Sequence, residues 1–171
     1  MPQHRSDRTV SRRALVQAAL LAPLTAVAIA CAGDDPPTGN STPSNPATET
    51  YAPSLGVNIA SMTKKSDNLY IQDLAVGTGA EAVVGRTVRL NYTGWLVNGQ
   101  QFDTSVGRGP YEFVLGTGNA IAGWHQGIPG MRVGGRRRMV MGSALAYGAT
   151  GQGSIGPNQT LVFDVELVSV Q

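Results

Sequence analysis

Val88-Arg89-Leu90-Asn91-Tyr92-Thr93-Gly94-Trp95-Leu96, followed by Val97-Asn98-Gly99-Gln100, is the stretch on which the fold turns. Large and polar side chains alternate along it, as they do in a strand with one face on a core and the other toward water. Asn98-Gly99 then offers the two positive-φ positions of a tight hairpin turn, so the run beginning near Gln100 is expected to pair back on it. Working outward, Tyr111 to Leu115, Arg136 to Met141 and Thr160 to Val170 read as further strands. The last carries Leu161, Phe163, Val165 and Leu167 on one face and Asp164 and Glu166 on the other. Only Ala120 to Ile128 has helical spacing, with Ile121, Trp124 and Ile128 on one stripe and Gly127 and Pro129 closing it. Roughly five antiparallel strands and one short helix predict an α+β domain whose twisted sheet curls over that helix.

Composition agrees with strands and turns. The chain has 171 residues, 14% of them charged, with 22 glycines, 10 prolines and one cysteine. This excludes a disulfide framework and a coiled coil, and bounds the protein to one modest domain with appendages. The formal net charge is +2, but Arg5, Arg8, Arg12, Arg13 and Asp7 all precede Cys31. The remainder carries nine basic and ten acidic residues, about −1 by the usual charge rules, so nucleic acid is not expected as a partner.

Residues 1–30 read as a signal peptide: a polar, Arg-rich start, an uncharged stretch from Ala14 to Ala30, then Cys31. Pro23, Gln17 and the many alanines argue against a permanent membrane span. Ser11-Arg12-Arg13-Ala14-Leu15-Val16 resembles a twin-arginine export signal, and Ala28-Ile29-Ala30-Cys31 resembles a bacterial lipobox, with Ala28 where such boxes usually have leucine. Lipid on Cys31 would tether the protein to a membrane of the bacterial cell envelope. Residues 31–60, rich in Pro, Thr, Ser and Asn, are expected to be a disordered tether, and residues 61–171 the globular domain.

Several familiar chemistries are excluded. Gly151-Gln152-Gly153-Ser154-Ile155-Gly156 matches a dinucleotide fingerprint by letter, but a strand follows it where a helix is needed. After Cys31 the chain has one histidine, His125, so no metal site and no cofactor are expected; that histidine is read as a solvated helix residue. Arg136-Arg137-Arg138 alternate in direction along a strand and are read as solvated strand edges and ion pairs. No nucleophile motif accompanies a Ser/His/Asp set.

The aromatic residues point elsewhere. Tyr92, Phe102, Tyr111, Phe113, Trp124, Tyr147 and Phe163 are distributed over the strands and the helix and must converge when the sheet wraps. More aromatic surface converges than a domain of this size needs to fill its centre, which predicts a concave apolar pocket with a few polar tips.

Asn91-Tyr92-Thr93-Gly94, Phe102-Asp103-Thr104-Ser105, Phe113-Val114-Leu115-Gly116, Ile121-Ala122-Gly123-Trp124, Ala146-Tyr147-Gly148-Ala149 and Thr160 to Leu167 resemble successive blocks of the FKBP-type peptidyl-prolyl isomerases, the macrolide-binding family. The resemblance covers about Leu69 to Val170. It implies an antiparallel half-barrel sheet of five to six strands wrapped around one short helix. It also implies a pocket formed by Tyr92, Phe102, Asp103, Tyr111, Phe113, Ile121, Trp124, Tyr147, Ile155 and Phe163, with Trp124 as its floor and Asp103 and Tyr147 as the catalytic polar groups. Tyr111 stands where many members have phenylalanine, Ala120 where valine is usual and Gly156 where proline is common.

The expected activity is prolyl cis-trans isomerisation without cofactor or metal, acting as a monomer on proline-containing segments of unfolded or exported proteins. Macrolides are the expected inhibitors. The alternative of another class is a tethered proline-peptide binding module or holdase with little turnover.

Overall fold

The computed structural model describes residues 42–171. The expected signal peptide, Cys31 and the first part of the expected tether lie outside the described residues. Seven strands form one antiparallel sheet: β1 (Thr63–Ser66), β2 (Leu69–Ala75), β3 (Thr87–Leu96), β4 (Gln101–Thr104), β5 (Tyr111–Val114), β6 (Arg136–Met141) and β7 (Leu161–Val170). Their order is β1-β2-β6-β7-β3-β4, with β5 also on β3.

β3 organises the sheet. β7 pairs with its whole length, from Val88 opposite Val170 to Leu96 opposite Leu161. Its other edge is shared: β5 takes Thr87 to Leu90 and β4 takes Thr93 to Trp95. Tyr92 lies where one partner hands over to the next. There Ser105, nearly fully buried, accepts from the Tyr92 N–H at 2.9 Å through its hydroxyl and donates its own N–H to the Tyr92 carbonyl at 2.9 Å. The ladder is thereby completed at the point where the chain leaves it.

The turn after β3 differs from the expectation. Gly99 has φ +88°, whereas Asn98 does not enter the positive region. Leu96 accepts from Gly99 N–H at 3.0 Å and donates to the Gln100 carbonyl at 2.9 Å, the pattern of a three-residue loop with glycine in its left-handed position. Asn98 contributes its side chain, which accepts from Gln100 N–H at 2.9 Å.

β1 and β2 lie outside the strands that the alternation predicts. Leu69, Tyr70 and Ile71 are buried consecutively, because Leu69 and Ile71 enter the main core while Tyr70 enters a second cluster on the opposite face. Burial on both faces removes the alternation by which a strand is recognised. The main core gathers Val88, Leu90, Leu115, Ile128, Met139, Leu161, Phe163 and Leu167 between the sheet and α1 (Ala122–Gly127). The helix lies close to β6: a Cβ on Gly123 or Gly127 would fall 2.4 Å from Met141 or Met139 Sδ.

The second cluster shows what residues 42–60 do. The expectation of disorder fails here: Leu55 packs with Met62, Tyr70, Val140 and Val162, and Tyr51, Ala52, Val57 and Ile59 join them with Trp95. Two 3-10 turns, Pro53–Leu55 and Ile59–Ser61, fit the segment to the sheet. Its few apolar residues suffice because β6 and β7 present Val140 and Val162, both fully buried, on that face.

Arg136 to Arg138 also depart from the reading of solvated edges, because β6 is interior to the sheet. Arg136 is exposed, but Arg138 forms a two-pronged pair with Asp164, at 2.6 and 2.8 Å. Arg137, 6% exposed, pairs with both Asp73 carboxylate oxygens at 2.6 and 3.1 Å. Its Nη1 donates to the Gly127 carbonyl at 2.7 Å and the Pro129 carbonyl at 3.3 Å. A cation thus closes the C-terminal end of α1, satisfying carbonyls that no helical N–H can reach. Arg137→Met is expected to cost about 1–3 kcal/mol by leaving those buried acceptors unpaired, read as a lowered denaturant midpoint.

Candidate active site

Trp124 is the first helical turn's contribution to a cavity of about 310 Å³. Only 5% exposed, it meets Tyr92 at 5.0 Å, Phe163 at 5.4 Å and Tyr111 at 5.8 Å edge-on, and Phe113 stacks on it at 5.9 Å. Each aromatic pair adds about 0.5–1.5 kcal/mol beyond area burial, so the floor is fixed before any ligand arrives. Phe102 closes one wall, edge-on to Phe163 at 5.4 Å. Both rings lie over the backbone of Gly94, where a Cβ would come within 2.6 Å of Phe102 and 2.8 Å of Phe163. Glycine is required there by close approach.

Polar groups ring the mouth. The Asp103 carboxylate accepts from the Tyr92 hydroxyl at 2.5 Å, from Thr104 N–H at 2.8 Å and from Arg108 Nη2. Burial raises the Asp103 pKa, but the bonds from Tyr92, Arg108 and Thr104 outweigh it and hold the carboxyl below its usual range. Tyr92 is pushed up to about 12 by burial and by its bond to Asp103. Tyr147 is also raised, by burial first and then by the charge of Asp103. Both phenols therefore remain donors at neutral pH. The Tyr111 hydroxyl donates to the Asn119 carbonyl at 2.6 Å, pinning that wall. Among the described residues, neither the Tyr147 hydroxyl nor the Ile121 N–H has a hydrogen-bond partner, and both residues line the cavity.

Eight of the ten expected pocket residues line the cavity: Tyr92, Phe102, Asp103, Tyr111, Ile121, Trp124, Tyr147 and Phe163. Phe113 and Ile155 do not. Phe113 is buried and stacks on Trp124, and Ile155 is buried in the core and exchanges backbone bonds of 2.8 and 2.9 Å with Gln152. Asn119 and Gln152 line the cavity without having been singled out. They sit in loops, where no periodicity marks a facing residue, and a polar side chain there reads as solvent-facing. The letters of the dinucleotide fingerprint occupy the Gln152 loop, with Gly151 and Gly153 at positive φ and no helix after them. His125 is part-buried rather than solvated: Nδ1 accepts from Gly116 N–H at 2.9 Å and the ring meets Phe113 edge-on at 5.4 Å. Among the described residues, no three His, Cys, Asp or Glu side chains are placed to hold a metal ion.

The fold is thus a sheet wrapped on one helix, around a hollow lined by an indole, other aromatic rings, a carboxylate and two donors without partners among the described residues. Residues 79–168 match the FKBP-type peptidyl-prolyl cis-trans isomerase family. The FK506-binding protein of Neisseria meningitidis serogroup A is 47% identical over 105 residues, covering 60% of this chain and 96% of that protein. The crystal structure of FkpA from Escherichia coli matches with TM-score 0.56 and 40% identity over 60% of this chain and 48% of that one, so the match spans about half of FkpA. A peptidyl-prolyl cis-trans isomerase from Pseudomonas syringae pv. tomato matches with TM-score 0.54 and 36% identity over 60% and 75%. The chain belongs to the FKBP-type peptidyl-prolyl cis-trans isomerase family.

The direction of the Asp103 shift fixes a pH dependence. Its folded pKa lies below the unfolded value of about 3.9, so its bonds contribute stability above that value. The contribution disappears as pH falls through the folded pKa. The difference in denaturant midpoint between the wild type and Asp103→Asn is expected to stay constant from about pH 8 to 5 and to shrink below about pH 4. A difference that grew on acidification would contradict the assigned network.

Proposed function

We propose that the cavity receives the proline ring of a peptide and lowers the barrier to rotation about the preceding amide bond. That barrier is about 18–20 kcal/mol because twisting removes amide resonance. In the twisted state the nitrogen regains its lone pair and the carbonyl loses charge-separated character, so the transition state is less dipolar than the planar amide. A water-poor aromatic pocket therefore favours the twisted form over the planar one. Trp124 supports the ring from below, and Phe102, Tyr92 and Phe163 enclose it. The Tyr147 hydroxyl and the Ile121 N–H each hold a flanking carbonyl, which keeps the peptide in a turn.

Asp103 acts here as a fixed charge. Its oxygens are already occupied by Tyr92, Thr104 and Arg108, so it orients the twisting amide's dipole without exchanging a proton. No covalent bond forms or breaks. The observation that carries this reading is an aromatic hollow whose free donors, Tyr147 and Ile121, sit at its edge. A macrolide of the kind named for the Neisseria relative would compete for the same hollow.

Isomerisation of a proline-containing peptide by the purified protein tests it. Tyr147→Phe removes one hydrogen bond worth about 0.5–1.5 kcal/mol, so kcat/KM should fall roughly 2- to 10-fold. Binding of unfolded proline-rich protein without isomerisation faster than buffer would instead make the domain a holdase.

The reading extends to where the enzyme works. Arg12-Arg13, the uncharged stretch to Ala30 and the single cysteine at position 31 support export and lipid attachment, with exported proteins as the clients and the domain acting as a monomer at the cell envelope. Mass spectrometry of the mature protein should find a diacylated Cys31 at the N-terminus; an intact Met1 would rule this out.

A further inference from the structure

We propose that residues 44–49 are a positioning brace for the active site, holding the loop that carries Tyr147 at both of its ends. The loop runs from the 3-10 turn Ser143–Leu145 to Thr160, the residue before β7. At its first end, Ser44 and Ser143 exchange hydrogen bonds: the Ser143 N–H donates to Ser44 Oγ at 2.8 Å, and the Ser44 N–H to Ser143 Oγ at 3.3 Å. The two serines are 4% and 2% exposed, so neither bond has water as a ready substitute. The fit is close: a Cβ on Gly142 would fall 2.6 Å from the Ser44 carbonyl oxygen.

Ser143 in turn carries Tyr147. Its carbonyl accepts from both Ala146 N–H and Gly148 N–H at 2.9 Å, the residues on either side of the tyrosine. At the far end, Thr160, 1% exposed, donates its hydroxyl to Glu49 Oε1 at 3.2 Å. A bond from Asn158 N–H to the Gly148 carbonyl at 2.8 Å links the two ends across the loop. The brace is itself closed by the Tyr51 hydroxyl, which donates to the Pro46 carbonyl at 2.6 Å. Ser44 and Glu49 do not line the cavity; they act through Ser143 and Thr160 on the placement of the Tyr147 hydroxyl. The inference rests on Tyr147 being a substrate-binding donor.

The test uses the full chain with Ser44→Ala and Glu49→Ala, singly and together, against the conservative pair Ser44→Thr and Glu49→Gln, which keeps an oxygen at each position. Hydrogen exchange at the Ala146, Gly148 and Asn158 amides should quicken roughly tenfold or more in the alanine pair, with amides of β3 and β7 unchanged. The conservative pair should restore protection. In activity, kcat/KM should fall about 3- to 10-fold in the alanine pair, the scale of one lost hydrogen bond. That fall should vanish when Tyr147→Phe is already present. Unchanged exchange at the three amides in folded protein would overturn the brace, as would a loss that multiplies with that of Tyr147→Phe. Absence of isomerisation by the wild type would count against the reading of the pocket, and the exchange data would still decide the brace.

Discussion

The structure depends on an indole being held from four sides. Trp124 can floor a cavity only because Tyr92, Tyr111, Phe113 and Phe163 meet its edges and one of its faces. These rings come from β3, β5 and β7, so the sheet must curl before they converge. Curling is possible because the outer edge of β3 is divided between two short strands rather than paired with one long one. The helix can approach the sheet because Gly123 and Gly127 face Met141 and Met139. A bulkier pair would lift the helix and take the floor out of reach of the walls.

Two charged groups are held in place by the groups around them. Arg137 ends the helix by occupying carbonyls at its C-terminus. Asp103 accepts from three donors, and these hold its carboxyl below the usual carboxylate range. Charges and dipoles fixed in advance need no reorganisation when a ligand enters.

Much of this is legible from residues that alternate. Thr87 to Leu96 and Leu161 to Val170 announce their buried faces, and their inward side chains account for much of the hollow. Leu69 to Ile71 escape notice because both faces of β2 are covered. Residues 44–60 escape for a different reason. A segment of Pro, Ser, Thr and Asn reads as solvated when its own composition is weighed, and only the apolar strip it lies on shows that it is packed. Gln152 and Asn119 belong to loops, where facing is set by tertiary contacts and has no periodic mark. Phe113 and Ile155 show the converse: the family blocks imply them as pocket residues, yet both are buried in the main core and neither lines the cavity.

The packing of residues 51–62 on the convex side of the sheet also bears on solubility. Val140 and Val162 are wholly shielded there, and Tyr70 and Trp95 are covered with them. A protein shortened to begin at residue 61 would lay bare an oily strip along four adjoining strands, β2, β6, β7 and β3. Such a strip favours self-association, so the stretch whose composition looks most dispensable covers the surface most prone to it.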